Sequence, residues 1–477
     1  MTFTEWTSRS VSTPKILLEI DISEINAQWI NCGAGIWKVN FNNSYPEVDA
    51  SLLDGFTPQE VFSNIGSIQC DQLFLTKVST LALVTTTYQS FYYDNTNTTL
   101  YVSLPNYDEP YIHSIFLGVV HGFSKEEFTP IGANQIYEGR LGAVPSLGYS
   151  RDPLYFGKLA FSSASISLIN ADGDFDTFAD TFNIYGNMAR IYFGYAEIPY
   201  SEYQLLYSGY IETITIAEDM MSIQLVDTRK RLSKQIYYTC TNLNALDAIF
   251  AILSTLGTIS YNETYFNTTD WDAAKAACGN VTIQMETDKT AEPIKLIEDI
   301  CASIFGLFIV QPDGRYSFKL IDTSASATTT IVKSDILVDA LQISYNPSEV
   351  LSSARVSYAR VPDTNNSDYK TWLTDTAEES AIFNKYKCYR QQDFDTYLVD
   401  QSGAQAFATK ILTYAKDVHG MLGITVPIKY YALVFGGVVN VNINRDTTTM
   451  LGTKKCEIIG KTYNLEQENI NLQLRIV

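Results

Sequence analysis

The sequence predicts a mainly β protein of the α+β class, and three observations carry that prediction. Tyr and Phe supply 32 and 24 of the 477 residues, and such side chains fit the pleated, half-buried surface of a sheet. Short runs of alternating apolar residues, broken by Gly, Asn, Asp and Pro, recur along most of the chain. Only between about Ser233 and Asp322, and again near Ser402, does the apolar spacing change to that of a helix. At roughly 150 residues per domain, a chain of this length should hold about three units.

From Trp29 to about Gly132 the runs GIWKVNF, QLFLTKV, LALVTTTYQSFYYD, TLYVSLP and SIFLGVV read as strands between turns. SFYYD and TLYVSLP, joined by NTNT, read as a hairpin with an Asn-rich loop. From about Asn134 to Leu232 the text stays strand-like. In LLYSGYIETITIAEDMMSIQLVDTRKRL, Ile214 and Ile216 alternate with polar neighbours, AEDM supplies a turn, and Ser222 to Val226 return as the second strand. The closing TRKR cluster reads as a solvated basic face or as an anchor for a neighbouring subunit's acids.

Asn244 to Leu256 carries apolar residues at helical spacing and stops before Gly257, and TDWDAAKAACG is a second short helix ended by its glycine. A third begins at Pro293, with Ile294, Ile297, Ile300, Cys301 and Ile304 on one face. It runs into GLFIVQPDGRYSFKLI, a hairpin turned by PDG. The remainder returns to strands: ALQISYN, ARVSYAR, GGVVNVNI and KCEIIGKTYNL. One helix interrupts them, with Ser402 as N-cap, Gln405 three residues on, an apolar face from Ala404 to Ala415, and Gly420 beyond its end. The alternation of Ile470, Leu472, Leu474 and Ile476 places the last residues inside a sheet.

Composition excludes several function classes. A formal charge of -20, from 53 acids against 33 bases, disfavours a nucleic-acid clamp, which needs Lys and Arg to displace counterions. An acidic wall past which DNA slides is compatible with it. Seven cysteines show no CxxC pair and no His at zinc-ligand spacing, so they read as scattered reduced thiols acting as small hydrophobes, and no cofactor or metal is expected. MTFTEWTSRS lacks the basic start and apolar core of a secretory leader, and apolar runs such as SIFGLFIV fall short of a membrane span. The expectation is a soluble chain made in a reducing cytoplasm.

Catalytic motifs are equally scarce. The three histidines, His113, His121 and His419, fall in segments read as strand, loop and helix end, with no GxSxG elbow and no HExxH helix around them. His419 reads as a cap compatible with a helix C-terminal dipole. Neither GxxxxGK[ST] nor GxGxxG occurs, and Gly436-Gly437 precedes a strand instead of a helix. No enzymatic activity is expected.

One stretch invites a closer reading. ISLINADGDFDTFAD, Ile166 to Asp180, gathers acids and an Asn around Gly173. An EF-hand frame with Gly173 at position 6 puts Leu168 at position 1 and Ala179 at position 12, so that pattern fails. A less regular cation site on Asp172, Asp174 and Asp176 and a pair of catalytic carboxylates stay open as alternatives. The favoured reading is a structural turn of Asn170, Asp172, Gly173 and Asp176. In it the strand ends at Asn170, Asp172-Gly173 turns, and Phe175 and Phe178 tuck beneath.

These phrases, in this order, resemble the hub proteins of phage tail tips and baseplates. SISLINADGDFDTF is followed by ARIYFGY, LLYSGYIETITI and SIQLVDTRKRL. Later come ISYNPSEVLSSARVSYA, a helix from Ala404 to Val418, GGVVNVNI and KCEIIGKTYNLEQENINLQLRIV. SFYYDNTNTTLYVSLP is similar to an insertion near the front of such proteins. The resemblance implies two related β-barrel hub domains, at 134–232 and 336–477, flanking an α/β module at 233–335. A β-rich N-terminal segment at 1–133 precedes them. It further implies a homotrimeric, pseudo-six-fold ring at the virion's tail tip, assembled in the bacterial host cytoplasm. The implied partners are the tail tube or distal tail ring, a central spike or fibre, and the tape-measure protein, with genome DNA only in transit. It supplies no catalytic residues.

Two other readings compete. A carbohydrate-binding adhesin would stack exposed aromatics on sugars, and a glycoside hydrolase would need two acids about 5 to 9.5 Å apart in a cleft.

Overall fold

The computed structural model describes residue 3 and, with breaks, residues 13 to 477. The longest stretches outside the described residues are 4–12, 41–67, 105–114, 152–162, 177–185, 360–369 and 443–451. The protein is mainly β, with its helices concentrated after residue 244. The chain divides into two compact units, one of Thr13–Ala143 with Ser165–Leu225, the other of Met1–Ser12, Val144–Ala164 and Val226–Val477.

The first unit is built on a twelve-stranded sheet. At its middle lies the strand Pro14–Glu24, whose Leu17, Leu18 and Ile20 are fully buried. It pairs antiparallel with Met188–Tyr195 on one side, Leu18 opposite Ile191, and with Ile115–Phe123 on the other, Leu18 opposite Phe123. Apolar side chains on consecutive positions suit a strand covered on both faces. Beyond Met188–Tyr195 follow Gln204–Ile216, Met220–Val226 and Ser163–Ile169. Beyond Ile115–Phe123 follow Ile68–Cys70, Leu73–Lys77, Ser90–Asp94, Thr99–Ser103, Ile36–Asn40 and Ile30–Gly33. The hairpin of Ser90–Asp94 and Thr99–Ser103 forms in the register Ser90 to Ser103, while its NTNT loop lies outside the described residues. The Ser163–Ile169 edge is not bare: Ile169 N–H donates to Arg140 O and Gly142 N–H to Ser167 O, each at 2.8 Å. A partly capped edge is a poor template for foreign strands.

The second unit holds a seven-stranded sheet. Along it run Thr330–Ile331, Val438–Asn442, Thr453–Asn464, Asn469–Ile476, Gly420–Pro427 and Gln342–Tyr345, with Leu147–Ser150 paired to the far half of Thr453–Asn464. The final strand buries Ile470, Leu472 and Leu474 between two antiparallel neighbours, as the alternation predicts, and only Ile476 is half-exposed. The helix Gln401–Ala415 buries Ala404, Phe407, Ala408, Ile411, Leu412 and Ala415. Its N-cap is Asp400, not Ser402: Asp400 Oδ1 accepts from Gly403 N–H at 2.7 Å, and the Ser402 hydroxyl donates to the same oxygen. A carboxylate there also opposes the positive helix end, which a hydroxyl does not.

The middle module has its own core. Helices Ala245–Ser254, Thr268–Cys278 and Pro293–Ile304 pack with the hairpin Gly306–Val310 and Tyr316–Leu320. The predicted face of the third helix is realised, with Ile297, Ile300 and Cys301 fully buried. Phe305 ends that helix in the left-handed region at φ 61°, strain of about 1–2 kcal/mol for a side chain with Cβ. Its buried ring, edge-on to Tyr414 at 5.2 Å, offsets that strain.

Candidate functional site

Asn170 ends the strand Ser163–Ile169 and is fully buried. Every polar group of its amide is used: Oδ1 accepts from Phe175 N–H at 2.8 Å, and Nδ2 donates to Asp176 Oδ1 at 2.8 Å and to Ala217 O at 3.3 Å. Its backbone N–H reaches Asp219 O, in the turn between the strands Gln204–Ile216 and Met220–Val226. Asn170 O accepts from Gly173 N–H at 3.0 Å, closing a turn in which Gly173 takes φ 78°. That backbone favours glycine, since an L side chain clashes there. Phe175 is buried against Phe123 at 5.9 Å, while Phe178 lies outside the described residues.

The exposed side of the turn is organised by a residue that sequence patterning does not flag. Arg140 Nη1 donates to Asp172 Oδ1 at 2.7 Å and Nη2 reaches Asp172 Oδ2 at 2.7 Å, a two-pronged pair. The same guanidinium engages Asp174 and, through Nε at 3.2 Å, Glu138. Its plane lies over the Phe175 ring at 5.2 Å. Hydrogen bonding to Arg140 holds the Asp172 carboxyl at about 2, and Asp172 in return raises the guanidinium's already high value. The carboxylates a cation would need are therefore turned toward a guanidinium and an amide. Among the described residues, no group of three or more His, Cys, Asp or Glu is placed to hold a metal.

A second polar centre lies in the other unit, and no motif announced it. Arg151 and Glu457 form an ion pair with side chains 0% and 1% exposed. Tyr414, from the helix Gln401–Ala415, donates to Glu457 Oε2 at 2.9 Å and accepts from Arg151 Nη2 at 3.0 Å. Arg475, opposite Glu457 on the neighbouring strand, donates to Tyr414 O and covers the Tyr414 ring at 3.5 Å. Burial pushes the Tyr414 hydroxyl up to about 12. Two buried guanidiniums thus lie near one carboxylate, with Arg151 paired to it directly. Such a cluster fixes the helix against the sheet.

Several other chemistry-bearing residues among the described ones are held in the fold, while Cys32 is exposed. TRKR is not simply a solvated face, because Arg229 is buried and its Nη2 meets Asp227 at 2.6 Å. His121 lies in the strand Ile115–Phe123, not in a loop, and His113 lies outside the described residues. His419 follows the helix Gln401–Ala415, but its Nδ1 contacts Ile476 O at 2.7 Å, so it ties the final strand. Burial and the Arg475 charge depress its pKa, the opposite of what a charged dipole cap would show. Cys240, Cys278, Cys301 and Cys456 are buried free thiols whose pKa values burial raises; Cys388 lies outside the described residues. No helix among the described residues is long and apolar enough to cross a membrane.

No family model and no curated protein matches the chain. Solved structures similar to it include a tail protein from Neisseria meningitidis, at 12% identity and a TM-score of 0.45, covering 72% of this chain and 94% of that one. The 43 kDa tail protein of prophage MuSo2 from Shewanella oneidensis is similar at 12% identity and a TM-score of 0.42, covering 72% and 96%. Prophage tail protein gp18 from Listeria monocytogenes follows at 10% identity and a TM-score of 0.41, covering 72% and 90%.

Proposed function

We propose that this chain is a structural hub subunit of a phage tail tip or baseplate, without enzymatic activity. The observation that carries the reading is the order of the phrases along the chain, together with where they fall in the fold. SISLIN, RIYFGY, SGYIETITI and SIQLV become four neighbouring strands of one sheet, Ser163–Ile169, Met220–Val226, Gln204–Ile216 and Met188–Tyr195 in spatial order. GGVVNVNI, KCEIIGKTYNL, INLQLRIV and the strand Gly420–Pro427 are likewise neighbours in the second sheet. Two four-stranded blocks of this kind suit two related β-barrel domains, at 134–232 and 336–477.

In this reading three subunits supply six barrels, a ring that matches a six-fold tail tube on one side and a three-fold spike or fibre on the other. Closed rings of this kind use head-to-tail patches. Part of the net charge of -20 lines the lumen, so that DNA passes without adhering. The acidic turn is a structural corner of the first barrel.

The test is the absolute mass of the purified chain by light scattering over a dilution series, with negative-stain averages of the same sample. A particle of three 53.4 kDa subunits around a central hole is expected. A monomer that fails to assemble on purified tail tubes and binds a glycan array would replace this reading with that of an adhesin.

A further inference from the structure

Lys461 belongs to the GKTYNL phrase, and its environment is unusual for a lysine. It lies on the strand Thr453–Asn464 and is 5% exposed. Register explains how it came to be there. Ile458 faces Leu474, but Gly460 faces Gln473, so Ile459 is an extra residue, a β-bulge. Because strand side chains alternate with period two, the extra residue moves Lys461 and Tyr463 to the face of Ile458, opposite Glu457. The bulge therefore separates the lysine from the carboxylate of its own strand. Gly460 marks the spot: a Cβ there would come within 2.8 Å of the Gln473 side chain.

What Lys461 meets instead is backbone, with the Tyr463 ring 4.5 Å from its Nζ. Its Nζ donates to Tyr431 O and, at 2.7 Å, to Leu433 O. Tyr463 donates to the same Tyr431 carbonyl at 2.9 Å. Both side chains of the motif thus converge on the turn that follows the short helix Ile428–Tyr430. Tyr431 in turn seats Phe3, which is 2% exposed and edge-on to it at 5.0 Å. The ionisable groups on the surrounding elements are Tyr463, Tyr149 opposite Lys461 on Leu147–Ser150, and Lys429, Tyr430 and Tyr431 of the turn. The carboxylate at that turn, Asp335, is held by Lys429 at 2.8 Å and Tyr430 at 2.7 Å. Burial, with no carboxylate against the amine among the described residues, pushes the lysine down to about 7.

We propose that Lys461 is a proton-sensitive latch on the 428–433 turn, closed most firmly when its amine is neutral and opened more readily when it is protonated. In the closed turn the lysine resists a proton; in the open turn it is hydrated and takes one at its ordinary value. Between those two values opening consumes a proton, so closure strengthens as the pH rises and levels off below the closed-state value.

Hydrogen exchange of the full-length protein tests this at the Tyr431 and Leu433 amides, which donate to Ile428 O at 2.8 Å and Tyr430 O at 3.1 Å. After correction for intrinsic rates, the wild-type opening constant should fall roughly tenfold per pH unit between about pH 7.5 and 9.5. Lys461→Met should be flat over that range. Equal slopes in both proteins, or a flat wild type, overturn the proposal. Because the Met variant strips donors from two carbonyls and can fail to fold, lysine Nζ NMR on the unmodified protein supplies a second reading. One resonance titrating near neutrality is expected, and all lysines titrating near 10.4 would overturn the latch.

Discussion

Arg140 and Asp172 meet through two parallel hydrogen bonds of 2.7 Å, across 32 residues of chain. The Asp172 carboxyl is thereby held at about 2, below the unfolded value near 3.9. A depressed acid contributes stability that is present above the unfolded pKa and lost as the pH falls through the folded one. Carboxyl NMR should find Asp172 titrating near pH 2 in the wild type and close to an ordinary aspartate in Arg140→Gln. An unchanged titration in the variant would show that the turn's backbone, not Arg140, sets the carboxyl.

Asn170 should be costly to replace. Asn170→Ala leaves the buried Phe175 N–H without its acceptor and deprives Asp176 of a donor. A loss of roughly 2–3 kcal/mol in chemical denaturation is expected. Gly173→Ala, at φ 78° and with its Cβ 3.2 Å from Asp176 Oδ2, should cost about 1–2 kcal/mol by the same measurement.

Glu457 balances two buried guanidiniums. Glu457→Gln removes the charge that pairs with Arg151 and lies near Arg475, and a destabilisation of about 3–5 kcal/mol is expected from urea unfolding. The double variant Arg151→Met with Glu457→Met should be less damaging than Glu457→Gln alone, since it strands fewer charges. A double variant as unstable as the sum of its parts would argue against a coupled cluster.

His419 should give the final strand an acid-sensitive tie. Its folded pKa is depressed by burial and Arg475, so the unfolded chain binds more protons below the ordinary value near 6.5. Stability carried by His419 is present above that value and declines as the pH falls toward the folded one. Melting temperatures from pH 7.5 to 5 should fall more steeply for the wild type than for His419→Gln, and parallel curves would remove the assignment.

Local structure was legible where one period governed. The alternation at Ile470 to Ile476, the helix face from Ile294 to Ile304 and the SFYYD/TLYVSLP hairpin follow from side-chain spacing alone. Sequence alone does not separate the cap at Asp400 from Ser402, because both residues suit the position and the choice depends on which oxygen reaches Gly403 N–H. Arg140 and Arg151 were invisible because each finds its partner far along the chain, and neither spacing nor composition encodes that meeting. The bulge at Ile459 was hidden for a related reason: an extra residue shows only against the register of the neighbouring strand.

The central position of Pro14–Glu24 has a consequence for biosynthesis. Ile20 is paired in register with Ala189, so this early strand cannot complete its sheet until the ribosome has made most of the first unit. At ordinary elongation rates that wait is on the order of ten seconds or more, far longer than hairpin closure. During it Ile16, Leu17, Leu18 and Ile20 stand without their neighbours on Met188–Tyr195. Nascent chains should therefore occupy holding chaperones until Met188–Tyr195 emerges.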